Sequence, residues 1–145
     1  MILDVNVLVN ALRRDALHHR QATAYLAMVG ANAEVVGWHP GLHAALLRVT
    51  TGPKFFDQPS TRQQCCEFLD TLTALPGAIR VSEGSSFWPV FTNLLNKYNA
   101  VGPSISDFYW AALAIDNSAA LCSADQKFGQ IKELRWHNLL DYAGS

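Results

Sequence analysis

Asp4, Asp107 and Asp125 are the residues of this 145-residue chain whose types and settings suggest chemistry. Asp4 ends the apolar run Met1-Ile2-Leu3, and apolar sequence resumes at Val5. Asp125 leaves a second apolar stretch, Ala119-Ala120-Leu121-Cys122-Ser123. Asp107 stands at the start of a third, residues 108–115. Taken singly, each is equally well read as a turn or cap residue, and Asp107 as a first-turn acid favoured by the helix dipole. Taken together they say more. In a parallel sheet, strand exits and the starts of following helices share one edge, and open α/β sheets carry their chemistry there. Three carboxylates within a few ångströms raise one another's pKa, and a divalent cation removes that cost. Oxygen-only ligands suit Mg²⁺ or Mn²⁺ rather than zinc. No His/Cys set here has zinc spacing. Such an ion meets phosphate oxygens and lowers the pKa of a bound water for attack on a phosphodiester.

The elements that must position these acids follow from patterning. Residues 1–4 read as a short buried strand, with Asn6 a plausible N-cap for the helix after it. His18, His19 and Arg20 open a second helix. Residues 35–38 form the second strand, and Pro40 suits the first turn of a helix that stops at Thr51-Gly52-Pro53. Ser60 or Thr61 caps a further helix, ending at Pro76-Gly77. Residues 78–82 are the third strand. Ser85 or Ser86 leads into a helix with Pro89 in its first turn, where it is tolerated. Residues 104–116 carry a helix that is apolar nearly all round and so buried. Residues 119–123 are the fourth strand, and Leu134-Arg135-Trp136-His137 reads as a last, edge-like one. Four to five strands with two helices in most links predict an α/β fold: one parallel sheet with helices on both faces, in one domain spanning 1–145.

Composition sets outer bounds. Half the residues are hydrophobic and 16% are charged, so disorder is excluded. Eleven Lys+Arg against twelve Asp+Glu leave no global basic field, and nucleic-acid binding would rest on a local patch. Cys65, Cys66 and Cys122 form no CxxC and are expected as small core residues in a reducing, cytoplasmic setting. The N-terminus lacks the basic region of a signal peptide, and no apolar run approaches the ~20 residues of a membrane span.

Several stretches resemble one family. Ile2-Leu3-Asp4-Val5-Asn6-Val7-Leu8-Val9 looks like the opening signature of PIN domains. Ser106-Asp107 followed by Ala111-Ala112-Leu113-Ala114 is similar to their third-acid helix, and residues 121–128 to their fourth-acid segment. Leu47-Arg48-Val49-Thr50-Thr51 with Pro53, His18-His19, and Leu134-Arg135-Trp136 resemble the VapC-like toxin branch. The motifs come in family order over nearly the whole chain. The resemblance implies a Mg²⁺- or Mn²⁺-dependent endoribonuclease, the toxin of a toxin–antitoxin pair, forming a homodimer and blocked by a cognate antitoxin. It implies Asp4, Asp107 and Asp125 as catalytic, metal-holding acids, with Asn6 and Ser123 in supporting polar positions. For these two, an N-cap and a strand-end hydroxyl bonding backbone are the plain alternatives. Arg48 is the candidate RNA contact, with packing or a salt bridge as the alternative.

The chain also departs from that pattern. Many PIN domains place a Glu near the start of the helix beginning here at Pro40, yet no acid lies between Glu34 and Asp57. His39 or His43 could hold a water there, though a surface or satisfied histidine is the simpler reading. Many relatives carry a second acid where this chain has Lys127, which could pair with Asp125, meet a phosphate or face solvent. Gly102-Pro103 replaces the usual Gly-Asn. A catalytically weakened RNA- or protein-binding module is therefore the alternative. A phosphate-ester hydrolase or receiver-like domain ranks below both, for want of a phosphate-binding Gly loop and of a well-placed lysine after the last strands. Phe55, Phe56 and Trp88 are expected in the core, and are partner-surface candidates if exposed.

Overall fold

The computed structural model describes residues 1–142. Its centre is a five-stranded sheet, every pairing parallel, in the order β3-β2-β1-β4-β5. The strands are β1 (Ile2–Leu3), β2 (Val36–Trp38), β3 (Ala78–Arg80), β4 (Leu121–Ser123) and β5 (Trp136–Asn138). Two helices fill each of the first three links: α1 (Val5–Leu12) with α2 (His19–Ala31), α3 (Pro40–Thr51) with α4 (Arg62–Thr73), and α5 (Phe87–Lys97) with α6 (Ser104–Asp116). A 3-10 turn, Gln126–Gln130, joins β4 to β5. The expected parallel α/β sheet is found, with strands shorter than the apolar runs that mark them.

Side-chain alternation along the short strands builds two cores. Ile2 and Leu121 face α5 and α6, whose Phe87, Phe91, Leu94 and Ala111 to Ala114 complete one apolar cluster. Leu3, Val36 and Cys122 face the other way, onto α1, α2 and α4 through Val7, Leu8, Tyr25, Val29 and Leu69. The third helix serves both, with Leu42 in the first cluster and Leu46 in the second. Four consecutive fully buried residues, Ala111 to Ala114, confirm that α6 is enclosed on more than one side.

Local sequence explains where the helices begin. Pro40 occupies the first turn of α3, and His39 caps it by accepting from the Gly41 amide at 2.9 Å. Thr61 and Gln64 form a capping box on α4. Pro89 falls within the first turn of α5, as expected.

Three expectations are corrected. The first helix begins at Val5, so Asn6 lies inside its first turn and Asp4 holds the cap position. Cys66 is exposed on α4, while Cys65 and Cys122 are buried. Phe55 and Trp88 are exposed rather than in the core, and Phe56 lies under the Arg13 guanidinium, 4.1 Å from ring centre to Cζ. Among the described residues no helix is long and apolar enough to cross a membrane.

Candidate active site

The strand order decides where a site can form. From β1 the chain crosses to β2 and β3 on one side, then returns past β1 to place β4 and β5 on the other. The connections therefore diverge between β1 and β4. At such a reversal the strands' carboxyl ends open a crevice, the usual ligand position in a doubly wound sheet. Asp4 leaves β1 and Asp125 follows β4, so the two acids stand on either side of that reversal.

Asp4 is 5% exposed. Its Oδ2 accepts from the Ser123 hydroxyl at 2.8 Å and from Asn6 Nδ2 at 3.1 Å. The same Asn6 amide donates to Ser123 Oγ at 2.8 Å, and its Oδ1 accepts from the Ala124 amide at 3.0 Å. Ser123 Oγ also accepts from the Asp125 amide at 3.0 Å. Ser123 thus uses one donor and two acceptor positions, the full capacity of a hydroxyl. This network joins the exits of β1 and β4 through the first turn of α1. Burial pushes the Asp4 carboxyl up to about 6. Hydrogen bonds from Ser123 and the Val5 amide pull against that shift, while the charges of Asp107 and Asp125 add to it.

Asp107 sits in the first turn of α6 and Asp125 opens the 3-10 turn, accepting from the Lys127 amide at 3.0 Å. Between them stands the Lys127 ammonium, 3.5 Å from Asp107 Oδ2 and 3.4 Å from Asp125 Oδ2. Both carboxylates raise the Lys127 ammonium above its ordinary value. Asp107 is nonetheless raised, because burial and Asp125 together outweigh the lysine. Of the two grounds against a receiver-like domain, the missing Gly loop and the missing lysine, the second is corrected, since Lys127 stands among the acids just after β4.

The three acids meet at one edge, as expected, but not as a closed cage. Among the described residues no three His, Cys, Asp or Glu side chains are already gathered as a metal-ligand cluster. Asp107 and Asp125 meet through an ammonium, and Asp4 feels both through its field. The donor set is oxygen throughout, which suits a hard divalent ion.

The remaining candidates lie outside this network. Arg48 is exposed in the last turn of α3. His43 stacks on Trp38, ring centres 5.2 Å apart, and its Nε2 is buried without a partner among the described residues. Burial, with the nearby His39, holds His43 below its ordinary value. His39 is satisfied: with Nδ1 accepting from Gly41, its Nε2 carries the proton and donates to Glu83 Oε1 at 2.6 Å. The Tyr109 hydroxyl donates to the same oxygen at 2.8 Å. Burial alone would raise the Glu83 carboxyl, but its own backbone amide, Tyr109 and His39 bring it below its ordinary value. Sequence reasoning missed Glu83. The signal was present, for Glu83 is a third acid just past a strand, but its partners are His39 and Tyr109 rather than the three aspartates.

Comparison with known proteins places this geometry. No family model matches the chain. The VapC ribonuclease Mb2897 of Mycobacterium bovis is 34% identical over 141 residues, covering 97% of this chain and 96% of that protein. Ribonuclease VapC43 of Mycobacterium tuberculosis matches equally, and ribonuclease VapC37 of that organism is 28% identical over 137 residues, 93% of this chain and 94% of its own. Among solved structures, a chain of VapBC2 from Rickettsia felis superposes with a TM-score of 0.69 at 17% identity, over 94% of this chain and 96% of that one. A chain of VapBC-1 from nontypeable Haemophilus influenzae gives 0.63 at 16%, over 97% and 98%. At those identities the structures speak to the fold, and the fold agrees. With 34% identity running the length of both chains, this chain belongs to the VapC ribonuclease family.

Proposed function

We propose that the chain, as one PIN-like domain spanning 1–145, is a metal-dependent endoribonuclease and the toxin of a toxin–antitoxin pair. Residues 143–145 of that span lie outside the described residues. The observation that carries this reading is Asp4: a buried carboxylate, held at the sheet's reversal by Ser123 and Asn6, facing Asp107 and Asp125. Ionising a buried carboxylate beside two more is costly unless a cation offsets their charge. The relatives are named ribonucleases, which fits a site made for phosphodiesters.

Asp4, Asp107 and Asp125 would hold Mg²⁺ or Mn²⁺. When bound, the ion supplies positive charge at the phosphate and acidifies water for in-line hydrolysis of the ester. The protein's own part is positioning. Ser123 and Asn6 occupy Asp4 Oδ2 and fix the carboxylate's plane, so its Oδ1 is aimed by the fold rather than by rotamer freedom. Asp125 is aimed by the bond from the Lys127 amide, and Asp107 by the first turn of α6. Arg48 is an RNA-contact proposal that rests on charge and exposure alone.

The partners proposed are RNA, a second copy of the chain, and a cognate antitoxin, in the cytoplasm. The solved neighbours are VapBC assemblies, and exposed Trp88 and Phe55 offer apolar area for docking. A second reading, a binder with a weakened site, is favoured by one observation: a lysine occupies the gap between two of the acids.

Incubation with total RNA in Mg²⁺ or Mn²⁺, wild type beside Asp4→Asn, separates these readings. Cleavage that EDTA stops and Asp4→Asn abolishes supports the nuclease. Cleavage persisting in EDTA excludes the metal mechanism, and RNA binding without cleavage in either protein favours the binder.

A further inference from the structure

Lys127 stands at this edge with a charge that opposes the role given to its neighbours. It is tied there twice. Its amide donates to Asp125 Oδ1, and the turn it belongs to is anchored by Phe128, buried in the core. The backbone therefore cannot carry Lys127 away from the acids without unfolding the turn. The side chain is a different matter. It is 71% exposed, and its contacts of 3.4 and 3.5 Å are longer than the 2.7–2.9 Å of a tight charge-assisted hydrogen bond. A tethered backbone with a loosely held ammonium makes an exchangeable cation at high local concentration.

We propose that Lys127 is a built-in counter-cation whose ammonium fills the gap between Asp107 and Asp125 and must leave before a divalent ion is held there. The proposal rests on reading those two aspartates as ion ligands. It adds what nothing in that reading supplies: the chain sets its own threshold for the ion.

The size of the effect follows from exposure. A solvent-exposed ion pair is worth about 0.2–1 kcal/mol. Each pair broken by an incoming ion thus weakens its binding by roughly 1.4- to 5-fold, and two by about 2- to 25-fold. A neutral side chain of similar shape should recover that factor, and arginine, which keeps the charge, should not.

The test is Mn²⁺ binding by calorimetry and by the spin-resonance signal of free ion. The full-length proteins compared are wild type, Lys127→Met, Lys127→Arg and Asp107→Asn. Lys127→Met is expected to bind Mn²⁺ several-fold tighter than wild type. Lys127→Arg should stay within about twofold of wild type, and Asp107→Asn should lose most binding. Added Mn²⁺ should also raise the melting temperature of Lys127→Met more than that of wild type. If Lys127→Met binds no tighter while Asp107→Asn still loses binding, the lysine's role is overturned and the metal reading stands. If Lys127→Arg tightens binding as much as Lys127→Met, shape rather than charge is responsible, and the proposal also fails. If none of the four proteins binds Mn²⁺, the metal reading falls and this inference with it.

Discussion

Replacing Asp4 by Asn should make the metal-free protein more stable at neutral pH, although the residue sits at the centre of the site. The carboxyl is raised from 3.8 to about 6 in the fold, chiefly by burial. Each pKa unit corresponds to about 1.4 kcal/mol, so ionised Asp4 costs the folded state roughly 3 kcal/mol at pH 7.5. The sign follows from linkage. A carboxyl whose folded pKa is raised binds an extra proton in the folded state between about 4 and 6. Stability therefore falls as pH rises through that window, with the cost absent below it and complete above it. Asn keeps an oxygen where Oδ2 accepts from Ser123 and Asn6. It adds an amide NH₂ that must find partners, at a cost of about 1–2 kcal/mol. The net gain is about 1–2 kcal/mol, or roughly 3–6 °C in Tm for a chain of this length. The assay is thermal unfolding of both proteins in EDTA from pH 4 to 8. The difference between them isolates Asp4, because the other groups titrate in both. Near pH 4, where the cost of ionised Asp4 is nearly gone, the amide should leave the variant the less stable protein; the curves should cross, and the variant should be the more stable one by pH 7. Saturating Mn²⁺ should then stabilise wild type and leave the variant nearly unmoved. A variant less stable than wild type at pH 7.5 in EDTA, or a gap independent of pH, would refute the reasoning.

Two further substitutions probe what surrounds Asp4. Ser123→Ala removes one donor and two acceptor contacts in a fully buried position, leaving Asn6 and the Asp125 amide short of a partner. It should cost about 2–3 kcal/mol by denaturant midpoint, and a loss below about 0.5 kcal/mol would show that water replaces the hydroxyl. Glu83→Gln weakens the His39 and Tyr109 contacts that tie α3 and α6 to the exit of β3. At partial exposure that should cost about 0.5–1 kcal/mol at pH 7. Because the Glu83 carboxyl is held below its ordinary value, its stabilisation exists above the unfolded pKa and disappears as pH falls through the folded one. A deficit that persists unchanged at pH 3 would count against the ionised Glu83 carboxylate as its source.

Much of this arrangement could be read from the chain. The apolar runs that end at Asp4 and before Asp125 are local signals, and they located two strand exits. The apolar segment after Asp107 located a buried helix and the acid at its start. Proline and capping residues marked the starts of α3, α4 and α5, because those interactions involve neighbours a few residues apart. The N-cap reading of Asn6 fails for the same reason, while its place beside Asp4 and Ser123 agrees with a supporting polar position. A cap is a local guess, whereas its true partners, Ser123 and Ala124, lie 117 and 118 positions away. Lys127 and Glu83 were undervalued because charge patterning does not reveal which carboxylate or imidazole a side chain will reach. The exposure of Phe55, Trp88 and Cys66 was likewise invisible, since hydrophobic residues go inside only as far as the packing leaves room.

What the amino-acid sequence determined by itself was the alternation of strands and helices, and hence a parallel sheet with acids at strand exits, because periodicity and turn chemistry are short-range. Lateral order was left to the tertiary structure. Placing β4 beside β1, rather than beside β3 which precedes it, depends on how two apolar faces bury against six helices at once. That choice brings Asp125 next to Asp4 across 120 residues, puts Ser123 within 2.8 Å of the Asp4 carboxylate, and sets Lys127 between the two acids that Asp4 faces.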